Sequence, residues 1–184
     1  MKATQQLKEE HEGIKLMLKI IEKITTELEA GKELNRAHFQ KIIDFIIGFA
    51  DKCHHGKEEE ILFPALVKHG IPDEGGPIAV MLNEHQQGRD FIKLLSSAFK
   101  EYEGGNKSSV SDIVSSSRGY VHLLRNHIEK ENNILFSMAD RALNEKEQSE
   151  MFEAFEQMEI DKIGMGKHEE YHHLLKELKD IYLP

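Results

Sequence analysis

The chain has 184 residues, which is one domain's worth at roughly 100–200 residues per domain. Its 24 Lys and Arg against 33 Asp and Glu leave a net charge of −9. That balance argues against nucleic acid and anionic membrane as partners, since both select a basic face. The single cysteine, Cys53, excludes an internal disulfide scaffold, whereas 11 histidines exceed anything helix packing requires.

The residues from Met1 to Lys8 contain no apolar h-region, so no secretory leader is expected. The greasiest stretch, Ile42 to Ala50, carries Asp44 and falls well short of the roughly 20 apolar residues of a membrane span. A soluble cytoplasmic protein is expected. Leu7, Ile14, Leu18, Ile21 and Leu28 keep one face of a first helix that closes at Gly31. Asn35 is placed to cap a second helix running to about His69, with a kink expected at Pro64, which removes a backbone donor. Pro77 suits the first turn of a third helix that ends at Gly104-Gly105. Ser108 or Ser111 is positioned to cap a fourth, to about Leu143. Asn144 with Glu147 reads as a capping box for a helix over 145–162, and Gly164-Met165-Gly166 separates it from a last helix over 167–182. Nothing alternates with period two, so the expected class is all-α.

The chain repeats itself. His54-His55-Gly56-Lys57-Glu58-Glu59-Glu60-Ile61-Leu62-Phe63 and His127-Ile128-Glu129-Lys130-Glu131-Asn132-Asn133-Ile134-Leu135-Phe136 share H-x-x-K-E-x-x-I-L-F, 73 residues apart. Glu10-His11 and Glu84-His85 repeat at an offset of 74. Counting along the helices puts these histidines level. His11 lies 21 residues before Lys32 and His54 22 after it, so both stand about 30 Å from that turn. His85 and His127 flank Gly105-Asn106 in the same way. Residues 1–143 therefore read as an up-down-up-down four-helix bundle, and 144–184 as a helical extension packed on it.

Glu58 and Glu131 follow His54 and His127 by four residues, one turn away on the same face. Buried carboxylates and imidazoles are costly unless paired or bound to a cation, and two adjacent carboxylates repel. Bridging two metal ions answers both problems. Imidazole with carboxylate suits iron, manganese or zinc. Two six-coordinate ions offer twelve positions. Four His and two bridging Glu fill eight, and one oxo or hydroxo bridge fills two more. Two then stay open for water, another ligand or a diatomic gas. His55 and Glu59 repeat the same spacing one residue over, on a face rotated by about 100° in an α-helix, and are read as a solvated pair or as outer partners behind the ligands, with Glu59 as a substitute ligand; His38, His69 and His122 are read as surface residues or outer partners. Cys53 reads as a small buried hydrophobe. His168-Glu169-Glu170-Tyr171-His172 matches the zinc-protease pattern H-E-x-x-H, but a protease also needs a third ligand and a substrate-binding strand. The motif is read instead as packing of the last helix, with His168 as an extra ligand if it folds back onto the centre.

His11, then His54-x3-Glu58, then Glu84-His85, then His127-x3-Glu131 resembles the hemerythrin-like (HHE cation-binding) domain family. The resemblance implies a four-helix bundle holding a non-haem centre of two iron ions. Glu58 and Glu131 would bridge them, and His11, His54, His85 and His127 would be terminal ligands. Oxygen-carrying members have a second His one turn from the first in the third helix, where this chain has Met81 and Arg89 beside His85. Their fourth-helix carboxylate is an Asp at a longer spacing than Glu131. The chain thus resembles more closely the iron and oxygen sensors and the di-iron proteins of iron–sulfur cluster repair, although the repair proteins carry an extra Cys-containing segment. The expected role is binding or sensing O2, NO, iron or redox state. The rivals are an enzyme acting on peroxide or NO, an iron donor, and a zinc-stabilised non-catalytic bundle.

Overall fold

A computed structural model describes residues 2–184. Every regular element among them is helical. Helix α1 is Ala3–Glu29 and ends where Gly31 takes a left-handed φ of 83°. Helix α2 spans 36–68, opened by the Asn35 side chain accepting from the His38 amide. Helix α3 is Pro77–Glu103. Helix α4 spans 110–142, preceded by a short 3-10 turn, Lys107–Ser109. Helices α5, Glu145–Ile163, and α6, Lys167–Tyr182, complete the chain. The capping box is present, with Asn144 and Glu147 each accepting from the other's amide.

One expectation is corrected. The cap before α4 is Asn106, whose side chain accepts from the Ser108 amide, because the chain enters through the 3-10 turn rather than directly. Near Pro64, where a kink is expected, α2 contains a π-helical turn, Glu58–Leu62, and continues as α-helix through Phe63–Lys68. In that turn the Phe63 amide bonds to the Glu58 carbonyl, five residues back. The wider turn loosens the ladder where proline lacks its donor. Proline does not cause it, since α4 has the same π turn at Glu131–Leu135 with Ser137 at the equivalent place. A longer π-helical stretch, Ile46–His55, precedes it in α2.

Paired side chains fix the register. Thr4, Glu22 and Glu29 on α1 bond Asp140, Arg125 and Arg118 on α4. Asp51 and Glu59 on α2 bond Arg89 and His85 on α3. Along each pair one residue number rises as the other falls. The core divides into two apolar clusters. One holds Ile14, Leu18, Phe49, Ile92, Leu95 and Leu124 with their neighbours; the other holds Leu7, Leu62, Phe63, Met81, Leu135 and Phe136 with theirs. Between them on every long helix lies a buried polar level: His11, His54 to Glu58, His85, and His127 to Glu131. Helix α6 adds Tyr171, Leu175 and Leu178 to the first cluster, and α5 adds Met151 and Phe155 to the second. Gly48 lies under Tyr171, where a Cβ would overlap the phenol oxygen. No helix among the described residues is long and apolar enough to cross a membrane.

Candidate metal centre

The polar level brings seven side chains together in two groups. One is His11, His54, Glu58 and Glu131; the other is His55, Glu58, His85 and His127, with the donor atoms in each within 4.8 Å of one another. Glu58 is common to both groups. Glu131 reaches both as well, with Oε2 3.2 Å from His11 Nε2 and 3.2 Å from His127 Nε2. The Nε2 atoms of His11 and His54 stand 2.9 Å apart, and those of His85 and His127 3.1 Å. All seven residues are at most 3% exposed.

The six residues expected as ligands are all here, and His55 is with them rather than behind them. The correction has a local cause. A π turn has more residues per turn than an α turn, so it changes the facing of everything that follows. Rotation counted at the α-helical rate put His55 off the site. The π-helical stretch ending at His55 turns both adjacent histidines inward, and the His55 ring stacks on His85 at 3.9 Å between centroids.

Each histidine is held from behind. His54 Nδ1 donates to Glu10 at 2.8 Å, His85 Nδ1 to Glu59 at 2.7 Å, His127 Nδ1 to Glu84 at 2.9 Å, and His11 Nδ1 to the Asn132 side-chain oxygen at 2.8 Å. His55 Nδ1 lies 3.4 Å from Asp51. Acceptors on Nδ1 fix the tautomer and leave Nε2 free to face the centre, the arrangement found around metal-ligating imidazoles. Glu59 is thus the acceptor behind His85. Glu10, Glu84, Asp51 and Asn132 were missed in these roles. Glu10 and Glu84 were visible as repeat markers, but each serves the histidine of the neighbouring helix.

On the inner side the accounts stay open. Both carboxylate oxygens of Glu58, both of Glu131, and His55 Nε2 are buried without a hydrogen-bond partner. Leaving such groups unpaired costs several kcal/mol in an apolar core, of order 1–3 each and more for charged ones. The electrostatics are correspondingly distorted. Burial alone would push the His85 imidazole down, but the Glu131, Glu58 and Glu59 carboxylates hold it up at about 11. Burial pushes His55 well below the usual imidazole range, and the neighbouring imidazoles push the same way. Burial would raise the Glu131 carboxyl, yet His127 and His11 hold it well down. Four unpartnered carboxylate oxygens and an unpartnered imidazole nitrogen, buried together among further imidazoles, fit cation binding at this level.

The chain also matches a known family. The Hemerythrin HHE cation binding domain covers residues 2–139. The chain belongs to that family. Neither a curated protein nor a solved structure matches it. Hemerythrin-family resemblance stops at about the end of α4, so α5 and α6 lie outside it.

Those two helices nevertheless reach the centre's outer edge. Lys57, wholly buried, donates to Glu10 at 2.6 Å and to Glu159 of α5 at 2.9 Å. Glu159 accepts from His168 Nδ1 of α6 at 2.7 Å. His168 is therefore tied to Glu159 and is not among the central donors: α6 packs on the outside of the bundle, and the His168 ring rests against Phe49. Of the two places expected for His122 the structure gives the surface: it is exposed and pairs with Asn126 one turn along α4. Cys53 is buried, and burial pushes its thiol up to about 12, consistent with an inert core residue. A cavity of about 240 Å³ abuts His55 and His85 on the side of Ile46, Ile47 and Tyr120. Arg89 lines it, pinned to Asp51 and Glu59 at 2.8 Å each.

Proposed function

We propose that the chain is a cytoplasmic non-haem di-iron protein that binds or senses a small diatomic ligand, O2 or NO, or reports iron and redox state. The observation that carries this reading is the seven-residue donor set, in which both oxygens of Glu58, both of Glu131 and His55 Nε2 are buried without a hydrogen-bond partner while every Nδ1 faces an acceptor. On this reading residues 1–143 form an up-down-up-down four-helix bundle around the ions, and 144–184 are an extension of two further helices. His11 and His54 would hold one iron, and His55, His85 and His127 the other. Glu58 and Glu131 would bridge, together with an oxo or hydroxo group. With His55 the protein would supply nine donors where the six expected residues supply eight, which would leave room for an exchangeable ligand beside the His11 and His54 pair. When bound, the ions would supply an exchangeable coordination position and shared redox charge.

The chain's own residues set the conditions. Phe136 stacks on His11 at 5.4 Å and Phe63 on His85 at 5.9 Å, walling the level from water on the side of the second apolar cluster. Glu10, Glu59 and Glu84 orient the imidazoles and raise their basicity.

Metal analysis and visible spectra test the reading, with protein purified without air and then exposed to O2 and to NO. Two irons per chain and a spectral change with either gas are the expected result. Iron well below two per chain after loading would sink it. Zinc with no response to either gas would make the chain a zinc-stabilised bundle, and steady turnover of peroxide or NO would make it an enzyme.

A further inference from the structure

The H-E-x-x-H segment of α6 remains unused by the centre. His168 and His172 lie one turn apart, with ring centroids 4.6 Å apart and planes 23° from parallel. Their Nε2 atoms face each other at 2.9 Å. Behind them, His168 Nδ1 is committed to Glu159, whose side chain is only 14% exposed. This is the arrangement of the buried centre in miniature: Nδ1 on a carboxylate, Nε2 turned toward a second Nε2, at the same separation as His11 and His54. His172 stands at the surface, so the pair is reachable from solvent.

The separation is short enough for both nitrogens to reach one ion. Two nitrogens each about 2.1 Å from a metal are about 3.0 Å apart at a right angle and about 3.4 Å apart at the tetrahedral angle. The observed 2.9 Å fits adjacent corners of a square-planar or octahedral ion. Among divalent ions, tetragonal nitrogen and oxygen sites favour copper and nickel, which also bind imidazole more tightly than manganese or iron does. We propose that His168 and His172 form a second metal site, an exposed two-histidine chelate for Cu(II) or Ni(II). Glu159 is the carboxylate that orients His168, and water fills the remaining positions. The site does not depend on which metal occupies the buried centre. Glu159 also accepts from Lys57, so a single hydrogen-bonded chain, His168–Glu159–Lys57–Glu10–His54, joins the two sites.

Titration of the full chain, its buried centre already loaded, with Cu(II) followed by electron paramagnetic resonance tests the site. One added copper per chain with hyperfine splitting from two nitrogens is expected, with the original metal content unchanged. His172→Ala should abolish that signal and leave the buried metal and the melting curve as they were. His173→Ala, at the exposed neighbouring position, should keep it. Glu159→Gln should weaken copper binding by roughly 10-fold, the usual cost of losing a carboxylate behind a ligating histidine. Copper bound equally well by His172→Ala, or lost equally in His173→Ala, or taken up only as the original metal is released, would overturn the proposal and leave the pair as a plain N–H···N hydrogen bond.

Discussion

The two repeats place the same three residues around the centre and give them different surroundings. In the first, Glu10 accepts from His54 and Lys57; in the second, Glu84 accepts from His127 and Lys130. The histidine contacts match, at 2.8 and 2.9 Å. Beyond them the halves part. Helix α5 lies across the first and adds Glu159, so the Lys57 side chain is 0% exposed, whereas that of Lys130 is 36% exposed. The same ion pair is thus a surface feature on one side and a buried charge cluster on the other. A buried pair contributes little over a well-packed apolar one but is costly to break, while an exposed pair is worth little either way. The extension outside the family match buries the outer ion pair of one half and leaves that of the other at the surface.

The largest expected effect breaks the buried side. Lys57→Met leaves Glu10 and Glu159 buried without their cation and should cost about 3–5 kcal/mol. Lys130→Met should cost no more than about 1 kcal/mol. Denaturant midpoints of the two variants measure the difference, and equal losses would remove the distinction between the halves. Next comes acid. Burial would raise the Glu10 carboxyl, but His54 and Lys57 hold it down at about 2, against 4.5 ordinarily. Its folded pKa is depressed, so its contribution is full above pH 4.5 and disappears as pH falls toward about 2. The difference amounts to about 3 kcal/mol in the metal-free chain. Stability measured through this window should fall steeply in the parent and less steeply in Glu10→Gln, whereas Glu84→Gln should keep most of the slope. The smallest effect acts on the cover alone. Gly48→Ala puts a methyl group where the Tyr171 hydroxyl sits and should cost about 1–3 kcal/mol by forcing α6 outward. Faster amide exchange confined to α6, with metal content kept, is the expected result; unchanged exchange would mean that α6 does not rest on this contact.

Much of the centre was readable in the chain. His11, His54, His85 and His127 come level by counting along helices, because the rise per residue is constant and the turns are marked by Gly31 and Gly105, both with positive φ. Glu58 and Glu131 follow from the repeated spacing. His55 was not readable, because the face a residue takes depends on every turn before it, and π turns leave no mark in hydrophobic periodicity. The outer acids were half readable. Glu10 and Glu84 advertise themselves by repetition, but which histidine each serves depends on how neighbouring helices pack.

The chain by itself determined the class, the helix boundaries and most of the donor set, since those rest on local spacing and on residue types with no cheap use in a core. Tertiary structure decided the rest. It added the fifth histidine and carried His168 to Glu159 instead of to the centre. It also separated Lys57 from its twin Lys130, because burial belongs to the assembled surface: the residues that cover Lys57 come from a helix 102 residues further along the chain.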